Sequence, residues 1–208
     1  MTTRITVAQG VIDWNNFANR IVYSVQQDGK NAYVRDLSRN SLRGVISNLM
    51  NGKLNINQPP YALEKRVNDE HGNEVRRVKR HEKFTVPKGW TSTLVLGEDR
   101  QEIEIVQWMF ERYGNTVTGI RTLSGKLNQE GVPSPKGGLW YPTSVRKILK
   151  NRAYCGDYKF GERCRGKFHN FSLEGVAERQ NGDAAKYNAE KDCFIRRDEF
   201  EPLVDRKL

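Results

Sequence analysis

Residues 120–154 read IRTLSGKLNQEGVPSPKGGLWYPTSVRKILKNRAY, and this stretch decides the fold. Its first part repeats apolar residues with the period of one helical face: Ile120, Leu123 and Leu127. Glycine and proline are then frequent in residues 131–138, which predicts a loop. A further helix is expected from Thr143, a good N-cap residue, to about Lys150. The stretch therefore predicts two helices joined by a loop.

The second of these helices has two distinct faces. Its apolar positions are predicted to be buried: Val145, Ile148 and Leu149. Its basic positions then point away from the core: Arg146, Lys147 and Lys150. Trp140 and Tyr154 border the apolar face, so we assign both to the core rather than to base stacking.

A third helix is predicted upstream, from the early carboxylates Glu98 and Asp99 to Gly114. Three short helices with a tight first and a longer second connection predict a helix-turn-helix-like unit, the last helix having a basic outer face. The alternative is a three-helix core whose charged surface only contacts solvent. The pattern leaves both interpretations open.

Residues 1–50 predict one long helix or a pair of helices. Apolar residues recur at helical spacing on both sides of residues 28–31, Asp-Gly-Lys-Asn, which are predicted to interrupt the helix. Arginines form a stripe at four-residue steps in the second part: Arg35, Arg39 and Arg43. Residues 51–60 contain the pair Pro59-Pro60 and predict an extended linker.

Short strands complete the predicted fold. Residues 61–86 contain the sequence Asp-Glu-His-Gly-Asn at 69–73 between alternating segments, which predicts an exposed hairpin. Residues 154–160 and 193–195 predict further short strands. The expected fold class is α+β, mainly helical, with a long N-terminal helix or helix pair and short antiparallel strands.

The charge of the chain predicts a polyanionic partner. The 208 residues include 35 Lys and Arg against 25 Asp and Glu, a net charge of +10. Residues 121–168 hold 11 basic and three acidic residues, so most of the excess lies in one block. The run Arg76-Arg77-Val78-Lys79-Arg80 also suits phosphate, but Glu74 and Glu82 flank it, so a solvated strand is equally compatible.

Several functional classes are excluded by pattern. No window is long and apolar enough for a membrane span, and residues 1–5 lack a signal-peptide core, so a cytoplasmic location is expected. Cys155, Cys164 and Cys193, with His169, match no familiar metal spacing, and no metal or other cofactor is expected. No catalytic residue is predicted, because the sequence contains no nucleotide loop or hydrolase motif.

An ordered series of motifs resembles the recombinase domain of the large serine recombinases, over roughly residues 50–160. The series is Glu104-Ile105-Val106, Met109-Phe110, Leu127-Asn128-x-x-Gly131-Val132-Pro133, Gly137-Gly138-x-Trp140, Val145, and Ile148-Leu149-x-Asn151-x-x-Tyr154-x-Gly156. Residues 34–44 are similar to the end of the helix that links the family's catalytic domain to its DNA-binding part. Residues 202–208 are similar to the segment that leads into the family's zinc ribbon.

The resemblance implies a DNA-binding portion of a site-specific recombinase. The family cleaves DNA through a phosphoserine link, but the catalytic domain and the zinc ribbon are expected to be absent here, so whether the chain is an enzyme stays open. Ser24 is rejected as the nucleophile, because Val22 stands where the family has arginine. The expected domains are residues 1–50, resembling the linking helix, 51–168, resembling the recombinase domain, and 169–208, a loop-rich segment.

The implied partner is double-stranded DNA, with self-association in the intact protein and no small-molecule substrate. The predicted DNA-binding residues are Arg39, Arg43, Arg121, Lys126, Lys136, Arg146, Lys147, Lys150 and Arg152. Of these, Arg146 or Lys150 is expected to contact base edges in the major groove. The alternative function is a non-catalytic interaction protein that dimerises through the apolar stripe from Trp14 to Leu49.

Overall fold

The computed structural model describes residues 4–7, 10–179 and 186–206. The described parts of 1–47 and 163–187 form one compact unit, and those of 48–162 and 188–208 form a second. The fold is α+β, with a long N-terminal helix and short antiparallel strands, as the sequence predicts. No described helix combines the length and the apolar character that crossing a membrane requires.

The helices are α1 (Phe17–Met50), α2 (Arg100–Asn115), α3 (Ile120–Gln129) and α4 (Pro142–Leu149). The strands are β1 (Arg4–Val7), β2 (Gly10–Asp13), β3 (Leu63–Asn68), β4 (Glu74–Val78), β5 (Thr91–Leu96), β6 (Tyr158–Phe160), β7 (Arg163–Cys164), β8 (His169–Ser172), β9 (Gly175–Glu178), β10 (Lys186–Tyr187) and β11 (Phe194–Arg196). Two 3-10 turns are formed by Arg152–Cys155 and Glu190–Asp192.

Helix α1 is a single continuous helix of 34 residues. The predicted interruption at residues 28–31 is therefore wrong. Gly29 costs the helix only about 1 kcal/mol relative to alanine, and the helical hydrogen bonds on both sides outweigh that cost. The apolar residues near its start are exposed: Phe17, Ile21, Val22 and Val25.

The first unit also contains three antiparallel strand pairs: β1 with β2, β7 with β10, and β8 with β9. The guanidinium of Arg35 lies 5.5 Å from the ring centroid of Phe168. Trp14 packs edge-to-face on Tyr23, with ring centroids 5.1 Å apart. Tyr23 and Arg35 of α1 thus each contact an aromatic side chain from outside the helix.

The second unit begins with a three-stranded antiparallel sheet in the order β4-β3-β5. The predicted hairpin is confirmed as β3 and β4, and the Asp69 carboxylate closes its turn by accepting from the backbone N–H groups of His71 and Asn73, at 2.8 and 2.9 Å. Strand β5 is an addition to the predicted hairpin. It pairs with β3 over its whole length, from Leu63 opposite Leu96 to Asn68 opposite Thr91.

The connector before β3 is fixed to the sheet and to α2. Ala62 has a φ of 63°, the left-handed conformation that glycine adopts most easily. The backbone N–H of Ala62 donates to the Glu102 carboxylate at 2.9 Å, and its carbonyl accepts from Gly97 at the same distance. These two bonds determine where the connector meets the helical core.

Helices α2, α3 and α4 pack around a shared apolar core. Their most deeply buried side chains are at most 2% exposed: Val106, Met109, Leu123, Leu127 and Val145. The Asp99 carboxylate caps α2 by accepting from the N–H groups of Gln101 and Glu102. Helix α4 begins one residue before Thr143, so the N-cap prediction for Thr143 is wrong. Pro142 takes the first turn, where a missing N–H costs nothing, and Tyr141 is the N-cap.

The C-terminal segment closes the second unit. The predicted short strands are found as β6 and β11, which pair with each other. The Tyr154 carbonyl accepts from the N–H groups of Leu203 and Val204, at 2.8 and 3.1 Å. Gly156, with a φ of 86°, lies so close to this segment that a Cβ atom there would be 2.8 Å from the Phe200 carbonyl oxygen. The chain after β11 thus packs directly on the residues that follow α4.

Candidate nucleic-acid interface

Helix α4 presents a basic face to solvent. Thr143 lies three and four residues before Arg146 and Lys147, Lys150 lies four and three residues after them, and all four are exposed. We call Arg146, Lys147 and Lys150 the α4 basic face. Within residues 13–179 and 187–206, none of the three forms an ion pair. Three cationic groups are therefore available for an anionic partner.

The core holds α4 in place from its opposite face. Val145 and Ile148 are 0% and 6% exposed, as the sequence predicts, whereas Leu149, predicted to be buried with them, is only partly buried. The loop that leads into α4 is fixed by Asn128, whose amide accepts from Trp140 N at 2.7 Å and donates to Trp140 O at 2.9 Å. The Trp140 indole, 2% exposed, donates to the Val132 carbonyl at 3.1 Å. Trp140 and Tyr154 are core residues, which confirms their assignment.

Helix α3 adds two exposed cations, Arg121 and Lys126, and an uncapped N-terminus. Gly119 is its N-cap, and no side chain accepts from its first N–H groups; the same is true of α4. A cleft of about 600 Å³ lies between the two helix starts. Its lining residues are Tyr113, Gly119, Ile120, Arg121, Tyr141, Pro142, Thr143 and Arg146. The first N–H groups of α3 and the guanidiniums of Arg121 and Arg146 suit an oxyanion such as a phosphate. Helix α4 adds little of this kind, because Pro142 has no N–H and Ser144 N donates to Tyr141 O.

One protein family matches the second half of the chain. The family model for Recombinase matches residues 100–208. The chain belongs to the Recombinase family. The matched Recombinase domain therefore includes α2, α3, α4 and the C-terminal segment that packs on them.

The match extends beyond the motifs that suggested it. The resemblance covered roughly residues 50–160, whereas the Recombinase match begins at residue 100 and continues to residue 208. The chain thus carries a portion of a site-specific recombinase. No curated protein matches the chain.

Two of the predicted DNA-binding residues already have acidic partners. Arg152 lies 2.6 Å from the Glu190 carboxylate and 3.8 Å from that of Asp157, which is itself only 5% exposed. Arg39 lies 3.0 Å from the carboxylate of Glu178. Both arginines hold their own unit together, and a phosphate contact from either would compete with these pairs.

The remaining predicted residues lack such partners in the part of the chain that the structure describes. They are all exposed: Arg43, Arg121, Lys126, Lys136, Arg146, Lys147 and Lys150. All but Arg43 belong to the second unit, and α3, α4 and the loop between these helices carry them. Sequence reasoning missed Tyr141, which lines the cleft and is 62% exposed. No charge or period singles out an exposed tyrosine.

The structure separates the members of the basic run 76–80. Arg76 pairs with Glu82 at 3.2 Å, Arg77 with Glu74 at 2.8 Å and Lys79 with Glu98 at 3.3 Å. The hydrogen bonds to these carboxylates raise the pKa of Arg77 and of Lys79. Arg80 has no ion pair among the described residues and turns toward α4, where it lines a second cleft.

The described residues carry no metal cluster, since no group of three or more His, Cys, Asp or Glu side chains converges there. Cys164 and Cys193 are buried, and burial raises the pKa of the Cys155 thiol, which disfavours its nucleophilic form. Ser24 lies on α1 in a helical segment, as its rejection required.

Proposed function

We propose that this chain is a DNA-binding portion of a serine site-specific recombinase, which recognises and positions double-stranded DNA. The observation that carries the proposal is the α4 basic face, which is exposed, rigidly mounted and free of ion pairs within the described residues. The chain contains a Recombinase domain and has a net charge of +10. Such a charge favours a phosphate-rich partner.

The arrangement of α3 and α4 supports binding in the major groove. In helix-turn-helix proteins, one helix crosses the backbone and the next places its first residues on base edges. Here α3 and α4 pack on each other, and their N-terminal ends share one cleft. The connection of residues 130–141 is longer than a helix-turn-helix turn, so the unit is helix-turn-helix-like in order and packing.

Two kinds of contact are expected from the basic residues. Arg146 or Lys150 reads a base edge, and a bidentate arginine contact to guanine discriminates by about 1–3 kcal/mol. Arg121, Lys126 and Lys136 contact phosphates and set the register. Arg43 is proposed as a further phosphate contact from α1, and the domain boundaries near residues 50 and 168 stay part of this proposal.

The double variant Arg146→Ala, Lys147→Ala tests the proposal. Both side chains are exposed, so the fold measured by circular dichroism should not change. Loss of two phosphate contacts should reduce the salt slope of binding by about two and weaken the affinity about 60-fold at 0.1 M salt. Fluorescence anisotropy with a labelled duplex measures both quantities.

The variant Lys191→Ala, Arg197→Ala is the matched control. It removes the same charge from two exposed positions outside α3 and α4. The proposal expects little change in affinity from this control. Equal weakening by the two double variants would show that only net charge matters, and the α4 assignment would be wrong.

The exposed start of α1 supports a second proposal, self-association through this helix. Phe17, Ile21 and Val25 follow each other at four-residue steps and are 66%, 47% and 65% exposed. A second copy of α1 would bury this stripe and gain about 25 cal/mol per Å² of apolar surface. Sedimentation velocity of the wild type and of Phe17→Ser, Val25→Ser should show a dimer only for the wild type. A wild-type chain that stays monomeric at high concentration would refute this proposal.

A further inference from the structure

A second cleft, of about 790 Å³, lies on the other side of Tyr141, and we call it the Arg80 cleft. Four segments of the second unit form its walls: the connector 58–61, residues 80–81, the loop 134–139, and α4 with the residues that follow it. The side chains that matter for its chemistry are Arg80, Lys136, Tyr141, Thr143 and Lys147.

The Arg80 cleft is lined by cations and by no carboxylate. Three of its lining residues are basic, Arg80, Lys136 and Lys147, and every other lining residue is apolar, hydroxyl-bearing, an amide or His81. The chain has 25 acidic residues, and carboxylates neutralise the three cations that precede Arg80 in the basic run. Such a wall attracts an anion and disfavours cationic or neutral ligands.

The hydrogen bond and the ring contact of the Arg80 side chain are both with neutral groups. Its guanidinium donates to the Pro135 carbonyl and lies 5.5 Å from the ring centroid of Tyr61. The Gln58 amide donates to the Arg80 carbonyl at 2.6 Å. Glu102, which acts on Arg80 electrostatically, does not line the cleft, because its carboxylate accepts from Ala62 N.

This placement leaves Arg80 with unused donors. A guanidinium has five N–H donors, and the bond to Pro135 is the one hydrogen bond that its side chain makes within the described residues. Burial lowers the pKa of Arg80 more than the Glu102 carboxylate raises it, so a further anion beside the guanidinium would stabilise its charge. Both the unused N–H donors and the charge of Arg80 therefore indicate an anionic ligand.

We propose that the Arg80 cleft binds a backbone phosphate of the DNA whose bases face α4. Arg80 offers its fork to the phosphate oxygens, while Lys136 and Lys147 add charge from the two sides. Lys147 belongs both to this cleft and to the α4 basic face, so one duplex can contact both surfaces. This inference rests on the proposed DNA-binding function and adds an anchor outside α3 and α4.

The rim of the cleft favours a strand over a free nucleotide. Leu139 and Tyr141 line the cleft but are 63% and 62% exposed. Small-molecule sites bury most of their ligand, usually about 70–90% of its surface, which so exposed a rim does not do. A DNA strand that runs along the rim would instead place its sugars against these two side chains.

Two substitutions test the cleft by duplex binding. Lys136→Gln changes an exposed side chain and Arg80→Lys keeps the charge but removes the fork. We expect Lys136→Gln to weaken binding about eightfold at 0.1 M salt for every duplex sequence, with the salt slope smaller by about one. Arg80→Lys should weaken binding while leaving the slope almost unchanged, because the charge stays.

Arg77→Gln is the control, because Arg77 lies three residues from Arg80 but is paired with Glu74. It should leave the affinity unchanged within twofold. If wild-type protein binds DNA and neither Lys136→Gln nor Arg80→Lys weakens it, the cleft proposal fails while the α4 proposal stands. If wild-type protein binds no duplex, the proposed function itself fails.

Titration with inorganic phosphate and with a nucleoside monophosphate separates the two possible sources of the anion. Tyr141 and Leu139 give reporter signals in NMR spectra of the free protein. Millimolar or weaker binding of both small ligands supports the DNA strand as the natural partner. Micromolar binding of either one, lost in Arg80→Lys while duplex binding is kept, would overturn the proposal in favour of a free ligand.

Discussion

The substitution Asn128→Ala tests how the loop before α4 is fixed. The Asn128 side chain accepts from Trp140 N at 2.7 Å and donates to Trp140 O at 2.9 Å. Both backbone groups belong to a residue that is 2% exposed, so water does not easily replace the lost partner.

The magnitude follows from these two bonds. A buried polar group without a partner costs about 1–3 kcal/mol, which gives about 2–6 kcal/mol for the pair. Alanine is a better helix former than asparagine by up to about 0.7 kcal/mol, so part of this loss is offset. The free energy of unfolding should therefore fall by about 1–5 kcal/mol.

Urea denaturation followed by tryptophan fluorescence measures this change, with Gln129→Ala as the control. Gln129 is exposed on the same helix, and its replacement should change the free energy of unfolding by less than about 0.5 kcal/mol. The argument about the loop is refuted if Asn128→Ala costs no more than Gln129→Ala.

Three further predictions concern stability. Gly156→Ala should lower the free energy of unfolding by at least about 2 kcal/mol in urea denaturation, because it combines a left-handed φ of 86° with a Cβ atom 2.8 Å from Phe200 O; a neutral result would contradict the close packing there. Gly29→Ala should stabilise α1 by up to about 1 kcal/mol in far-ultraviolet thermal melts, because no atom lies within 4 Å of the new Cβ; destabilisation would argue for a break at 28–31. Burial raises the pKa of Tyr154, so the folded state holds this proton longer than the unfolded state, and stability should fall as pH rises above about 10. In Tyr154→Phe that alkaline loss should be smaller, whereas an unchanged pH profile would exclude Tyr154 as its source.

The elements whose apolar residues recur with a clear period could be predicted from the sequence. This holds for α2, α3 and α4, and for the two faces of α4, because burial of Val145 and Ile148 forces Arg146 and Lys147 outward. The hairpin of β3 and β4 was equally accessible, since Asp69 closes its turn by local hydrogen bonds. Local signals were sufficient in each case.

The elements that were predicted wrongly or not at all depend on competing local preferences or on residues far away in the sequence. Gly29 signals a helix break, but its small cost is outweighed by the bonds on both sides. Thr143 signals an N-cap, but Pro142 is better suited to the first turn and shifts the start of α4. Strand β5 becomes a strand by pairing with β3, which lies more than 20 residues earlier in the chain.

The candidate site likewise combines features that the local sequence predicts with features that depend on distant residues. Its basic residues are visible in the sequence, but their ion-pair partners are not. Arg39 meets Glu178, 139 residues away, and Arg152 meets Glu190, so charge alone does not separate these arginines from Arg146. Arg80 differs from the other basic residues of 76–80 in this respect. Arg76, Arg77 and Lys79 each form an ion pair with a carboxylate, whereas Arg80 forms none among the described residues.

The most direct test of the central claim is the salt dependence of binding to a duplex of arbitrary sequence. Six of the predicted DNA-binding residues lie in the second unit, are exposed and have no ion pair among the described residues. They predict a slope of log affinity against log salt of about −5, or about three decades between 50 and 200 mM salt. Fluorescence anisotropy of the wild-type chain should show this slope, with micromolar binding at low salt. Absence of binding at low salt would contradict the account, because the α4 basic face would then not be a DNA-binding surface.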